Sequence, residues 1–212
     1  MREYSRRSAL GLLGAAITVP VLAGEAVAVG NSTPVMVSLP ADTWTQVNSA
    51  NPNWSYWNTD RHEGAKVGYA WDGTARYRSF FQASIAALRG ATVHDARFEV
   101  WLDHSPTGQP TPVDLFYTAP ISPAIPLTWN NSGGHWRHHL ATVSGNAWSG
   151  AGQPDQLLSF SGALTSAVQH AVFSDEGVVS LGLKAPDEAN RYQWKRFRSA
   201  DARLVVTYTP AA

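Results

Sequence analysis

KVGYAWDG TARYRSFFQAS IAALRG ATVHDARFEVWLD, Lys66 to Asp103, holds two of the clearest strand signals in the chain, with a short turn of helical character between them. From Val93 to Asp103, His94, Ala96, Phe98, Val100 and Leu102 alternate with Asp95, Arg97, Glu99 and Asp103, so one face is apolar and the other wet. Only Trp101 breaks the pattern. An apolar sheet face requires a second layer over it, so the remaining chain is expected to pair with this stretch or pack across it.

The 212 residues, 44% hydrophobic and 15% charged, suffice for one well-buried domain, expected over 40–212. Sixteen basic and sixteen acidic residues balance, which leaves no electrostatic footprint for nucleic acid or an anionic membrane surface. Nine Trp and seven Tyr suit a strand-rich chain with half-exposed rings. At the N-terminus, Arg2, Arg6 and Arg7 precede an apolar run from Ala9 to Ala23, and Ala26-Val27-Ala28 has the small-x-small pattern of a cleavage site. Residues 1–28 therefore read as a cleaved export signal, and Ser5-Arg6-Arg7-Ser8-Ala9-Leu10 as its twin-arginine form, which addresses a folded bacterial protein for secretion. The chain has no Cys, so it needs no oxidising compartment.

Along the mature chain, residues 29–39 form a leader and a first strand from Val35 to Leu39, stopped by Pro40, with Trp44 to Val47 continuing the pairing. Asn48 to Gly64 is loop chemistry carrying Trp54, Tyr56 and Trp57. Phe80 and Phe81 put a ring on each face of the strand Arg76 to Ser84, so that strand is expected to be covered on both sides. Ser84 to Gly90 allows one helical turn, and Val113 to Tyr117 is a strand followed by a long Pro-rich connection of the kind found in Greek-key sandwiches. Leu157 to Phe160 is a short strand, after which Ser161 caps a helix with Leu164, Val168, Ala171 and Val172 on one face. Two alternating strands close the chain, with Val179, Leu181 and Leu183 inward in one and Leu204, Val206 and Tyr208 in the other. The residues thus specify an all-β sandwich of about ten strands with one short helix.

Several words of sequence, taken in order, resemble a known family. Asp42-Thr43-Trp44, Asn51-Pro52-Asn53, Lys66-Val67-Gly68-Tyr69, Tyr77-Arg78-Ser79-Phe80, Leu88-Arg89-Gly90 and Ala96-Arg97-Phe98 resemble the opening half of a DNRLRE-type domain. Thr128-Trp129-Asn130-Asn131 is similar to that family's central tryptophan motif, Leu164 to Val168 to its short helix, and Tyr192 to Phe197 with Leu204 to Tyr208 to its closing strands. The resemblance spans about Pro40 to Tyr208. It implies a jelly-roll-like β-sandwich of the carbohydrate-binding type, in a secreted or surface-attached bacterial protein. Gln82-Ala83-Ser84 and Arg198-Ser199-Ala200-Asp201 depart from the family's acidic residue and Arg-Glu pairing at those places.

Catalytic patterns are missing: there is no G-x-S-x-G, H-E-x-x-H or phosphate-cradling glycine loop. Asp60, Glu63, Asp72, Glu99, Asp103 and Glu188 are carboxylates dispersed over a sandwich rather than an acid pair, so no enzyme is expected. No cofactor is implied beyond a structural calcium, for which Asn58, Asp60 and Asp72 carry hard oxygen donors. His135 and His139 of His135-Trp136-Arg137-His138-His139 share a face if that segment is a strand, yet lack a third metal ligand. Trp194 beside Lys195 and Arg196, and Tyr77 between Arg76 and Arg78, set rings next to cations in the order of the chain. The expected function is non-catalytic binding of polysaccharide or cell-surface glycan through Trp54, Tyr56, Trp57 and Trp71, with Arg61 and Arg76 as polar partners. The rival expectations are an adhesive domain docking onto a surface protein and, further off, a small polysaccharide lyase or hydrolase.

Overall fold

Alternation of apolar and polar residues organises the chain into twelve strands and one α-helix in a computed structural model that describes residues 33–41, 43–57 and 64–211. The export signal expected at 1–28, together with Asn58, Asp60 and Arg61, lies outside the described residues. In chain order the elements are β1 Val35–Pro40, β2 Thr43–Asn48, β3 Tyr56–Trp57, β4 Ala65–Tyr69, β5 Arg76–Ser84, β6 Thr92–His104, β7 Thr111–Thr118 and β8 Trp136–Gly145. There follow β9 Gln156–Phe160, α1 Leu164–Phe173, β10 Val178–Lys184, β11 Lys195–Phe197 and β12 Arg203–Thr209. The additional strands are β3, two residues within a loop, and β8, whose His-rich start masks its strand character.

All pairings are antiparallel, and the strands form one curled sheet whose halves close over a shared core. One half centres on β6, with β12 and β11 along one edge and β9 on the other. The second half runs β2, β5, β10, β7, β8, with β3 outside β2. Strand β4 belongs to both: Ala65 to Val67 pair with β11, whereas Gly68 and Tyr69 pair with β5. The corner is Gly68, at φ 80°, where a Cβ would stand 2.9 Å from the Gln193 carbonyl oxygen. Only glycine turns the strand from one layer to the other there.

The core joins Ala96, Phe98, Val100 and Leu102 of β6 to Phe81, Val179, Leu181 and Leu183 of the facing half, and Phe81 and Phe98 meet at 5.4 Å between ring centroids. One residue expected inward is not: His94 is exposed and Val93 takes the core position. The register between β6 and β12 shifts between Thr207 and Tyr208, so Asp95 and Val93 face successive β12 residues and the phase slips by one residue at His94. Trp101 stays on the outer face, within 6.0 Å of the Arg198 guanidinium. Pro40 is inside β1 rather than beyond it, which an outermost strand tolerates.

Helix α1 buries Leu164, Val168, Ala171 and Val172, the four residues the periodicity selects. Its start differs: Ser161 contributes its carbonyl, which accepts the Leu164 N–H at 2.9 Å, and no side chain caps the helix. The Val93 N–H donates to Gln169 Oε1 at 2.7 Å and the Ala96 N–H to Thr165 Oγ1 at 3.0 Å, so α1 covers a stretch of β6 edge that no strand occupies.

A second, smaller cluster lies on the outer face of the β5 half. Val47, Phe80, Ile121 and Leu127 are buried there under Trp57, Trp129 and Trp136. Strand β5 is therefore covered on both faces, as its paired phenylalanines require, with Phe81 inward and Phe80 outward.

Candidate functional site

The turn between β4 and β5 is held from inside its own sequence. Ala70 N–H donates to the Ala75 carbonyl at 2.8 Å and Gly73 N–H to the Ala70 carbonyl at 2.9 Å. Asp72 Oδ1 accepts the Thr74 N–H at 2.9 Å and the Thr74 hydroxyl at 2.7 Å. Those two bonds hold the Asp72 carboxyl below its ordinary value, so it is charged at neutral pH. Gly73 sits at φ 76°, and the tightness of this turn projects Trp71 outward, 53% exposed.

A second turn meets the first. Asn190 accepts the Tyr192 N–H at 3.0 Å through its side chain and starts a single turn of 3₁₀ helix, Arg191–Gln193, that presents Tyr192 with 55% of its surface exposed. Trp71 and Tyr192 stand edge to face with centroids 5.5 Å apart. Arg191 ties the turns together by donating to the Trp71 carbonyl at 3.2 Å, and the guanidinium carbons of Arg191 and Arg76 lie 5.3 Å and 4.8 Å from the centroid of Tyr69. Arg76 is fixed further by donating to the Glu188 carbonyl at 2.8 Å.

Beside this ring pair opens a cleft of about 340 Å³, with Trp71, Tyr77 and Trp194 as its rings and Lys66, Asp72, Thr74 and His104 as its polar groups. His104 packs edge to face on Trp194 at 5.5 Å. Burial, and then the charge of Arg196, push the His104 pKa down, so its imidazole is neutral at pH 7 and available as both donor and acceptor. Near pH 7 the cleft thus offers an ammonium, a carboxylate, a hydroxyl and a neutral imidazole among apolar ring surfaces, the mixture that small polar ligands with hydrophobic faces need.

Of the residues expected to bind ligand, Trp71 lines this cleft and Arg76 supports it through Tyr69. Trp54 and Tyr56 form a separate ring pair, centroids 6.2 Å apart, with Trp54 65% exposed. Their loop is clasped to the long connection after β7 by Asn130 N–H to the Pro52 carbonyl at 3.1 Å and Asn130 Nδ2 to Asn53 Oδ1 at 2.8 Å. Trp57 packs against the outer cluster around Phe80. Arg61 lies outside the described residues, as do Asn58 and Asp60 of the expected calcium set; the third member, Asp72, accepts from Thr74. Among the described residues no three His, Asp or Glu side chains converge as a metal site. His135 and His139 diverge, because His135 belongs to the 3₁₀ turn Ser132–His135 and packs on Phe80, whereas His139 lies 3.3 Å from Asp114.

Sequence neighbours proved poor guides to ring–cation pairs, since adjacent strand residues point to opposite faces. Arg76 stacks on Tyr69, Arg78 on Trp129 at 4.1 Å, and Trp194 meets a histidine. Lys195 is fully buried, its ammonium donating to Thr111 Oγ1 at 2.5 Å and lying 3.4 Å from the Pro112 carbonyl, and burial lowers its pKa to about 7. Tyr192, Arg191 and His104 are site residues that linear reading missed; the exposed Arg-Tyr in a polar turn, Asn190 to Gln193, was the available signal. No protein-family model and no curated protein matches the chain.

Proposed function

We propose that this chain is a secreted, non-catalytic β-sandwich, akin to DNRLRE-type domains, that binds polysaccharide or cell-surface glycan at the Trp71 cleft. The observation that carries the reading is the exposed edge-to-face pair Trp71 and Tyr192 bordering a cleft that combines rings with hydroxyl-compatible polar groups. A pyranose has an apolar C–H face and a rim of hydroxyls. The face suits the exposed indole, while Asp72 accepts from hydroxyls and Lys66 donates to them. Rings placed on turns that hydrogen bonds already hold lose little conformational entropy on binding. Trp54, also exposed, and the half-buried Tyr56 beside it give a second ring surface for a longer chain.

Affinity electrophoresis and calorimetry against neutral and acidic polysaccharides test the proposal. Binding to at least one polymer, weakened by Trp71→Ala and by Tyr192→Ala while the circular dichroism spectrum is unchanged, is the expected result. Absence of binding across the panel sinks it, and binding that survives both substitutions moves the site elsewhere.

A further inference from the structure

Strand β8 ends its half of the sheet, so among the described residues one of its edges has no strand partner. The approach to α1 covers part of that edge, where the Ala163 N–H donates to the Leu140 carbonyl at 3.0 Å. Between β8 and α1 there remains a cleft of about 350 Å³ that shares no residue with the Trp71 cleft. Its apolar wall is Leu140 with Ala163 and Ala167, two helix-side residues four apart whose side chains end at Cβ and leave room. Its polar residues include Tyr117, Arg137, His170 and Glu176.

The charges around this cleft are unequally satisfied. The Tyr117 hydroxyl donates to Glu176 Oε2 at 2.6 Å, so that carboxylate is held in place, and His170 Nδ1 lies 3.8 Å from Oε1, beyond hydrogen-bond distance. Burial, and then Glu176, push the Tyr117 pKa up, which keeps the phenol a donor across the neutral range. Arg137 is different. Each of the other described arginines, residues 76, 78, 89, 97, 191, 196, 198 and 203, has a hydrogen-bond or ion-pair partner. Arg137 has neither among the described residues, although it lines a cleft with an apolar wall.

We propose that the β8–α1 cleft is a second binding site, independent of glycan binding, for a small organic anion whose carboxylate sits on Arg137 and whose aliphatic body lies along Leu140, Ala163 and Ala167. The guanidinium fork matches a carboxylate with two parallel hydrogen bonds. Glu176, like-charged with the ligand and already held by Tyr117, disfavours the reverse orientation. An aliphatic body gains by leaving water against the wall, and a neutral ligand of the same shape gains that alone.

Titration of the full chain with hexanoate and with 1-hexanol, followed by amide NMR shifts and calorimetry, tests this. Saturable hexanoate binding is expected, with shifts concentrated at residues 137–140 and 163–170 and with 1-hexanol weaker by about tenfold or more. Arg137→Gln, at an exposed position, should erase the preference for hexanoate, and Ala167→Leu, which fills the wall, should weaken both ligands. Trp71→Ala should leave hexanoate binding unchanged. Failure of hexanoate to saturate, equal binding of 1-hexanol, or indifference to Arg137→Gln in a protein whose melting curve is unchanged would each overturn the proposal.

Discussion

Two groups of rings and arginines adjoin β5, and Glu188 touches both. Its carboxylate takes Arg78 through two bonds, at 2.8 and 2.7 Å, on the side of the outer cluster, while its backbone carbonyl takes Arg76 on the side of the Trp71 turn. In the outer cluster Trp57, Trp129 and Trp136 spend their surface on Val47 and Phe80, and Arg78 lies over Trp129 with its charge already neutralised. At the turn, Tyr69 takes up the two guanidinium groups, and Trp71 and Tyr192 keep half their surface in water. The same residue types therefore hold the sandwich together in one place and stand exposed in the other. What separates them is burial, because a ring already covered has no further hydrophobic free energy to gain from a ligand.

Substitutions should divide along that line. Phe80→Ala removes a fully buried ring from the outer cluster and is expected to cost about 3–5 kcal/mol of stability in chemical denaturation, with glycan affinity unaffected in the fraction that remains folded. If Phe80→Ala abolished binding without destabilising the fold, the division would be wrong.

Lys195 tests the core between the halves. Its folded pKa, about 7, lies below the ordinary lysine value, so between those pH values the unfolded chain binds the proton more strongly than the folded one. The sign follows: stability should rise with pH from about 7 towards 10, and below 7 the cost of burying the ammonium is fully present. The gain should be roughly 2–4 kcal/mol, and Lys195→Met, which buries no charge, should flatten that part of the stability–pH profile. An unchanged slope in Lys195→Met would show that other groups titrate there.

Trp71→Ala is expected to leave stability within about 1 kcal/mol while lowering glycan affinity at least about tenfold, or about 1.4 kcal/mol. Calorimetric titration paired with thermal melts separates the two quantities. The smallest effect is expected from Gly73→Ala: at φ 76° and with the new Cβ 2.7 Å from Arg191 Nη2, it should cost about 1 kcal/mol of stability and shift Trp71 enough to weaken binding severalfold. Wild-type affinity in Gly73→Ala would mean that the ring pair tolerates displacement.

Much of the sandwich was legible because its cause is local. Alternation in β6, β10 and β12 and the four-residue face of α1 follow from the fixed side-chain periods of strand and helix, and Phe80 beside Phe81 already implied cover on both faces of β5. The slip at His94 was not legible, since a bulge is settled by the register of the neighbouring strand. Strand β8 was hidden for a related reason: its edge position lets polar side chains occupy a strand.

The candidate site divides in the same way. Trp71 was named from the sequence, whereas the Asp72–Thr74 turn was not read there, although Asx turns and glycine at positive φ are sequence-local chemistry. Which ring faces which cation could not be read there, since Arg76 and Tyr69, or Trp71 and Tyr192, are joined only when strands and turns distant in sequence come together. The sequence by itself determined the layers and the supply of rings, through periodicity and composition. Only the tertiary structure decided which rings were consumed by packing and which remained exposed, because burial is a property of neighbours that the chain brings from far away.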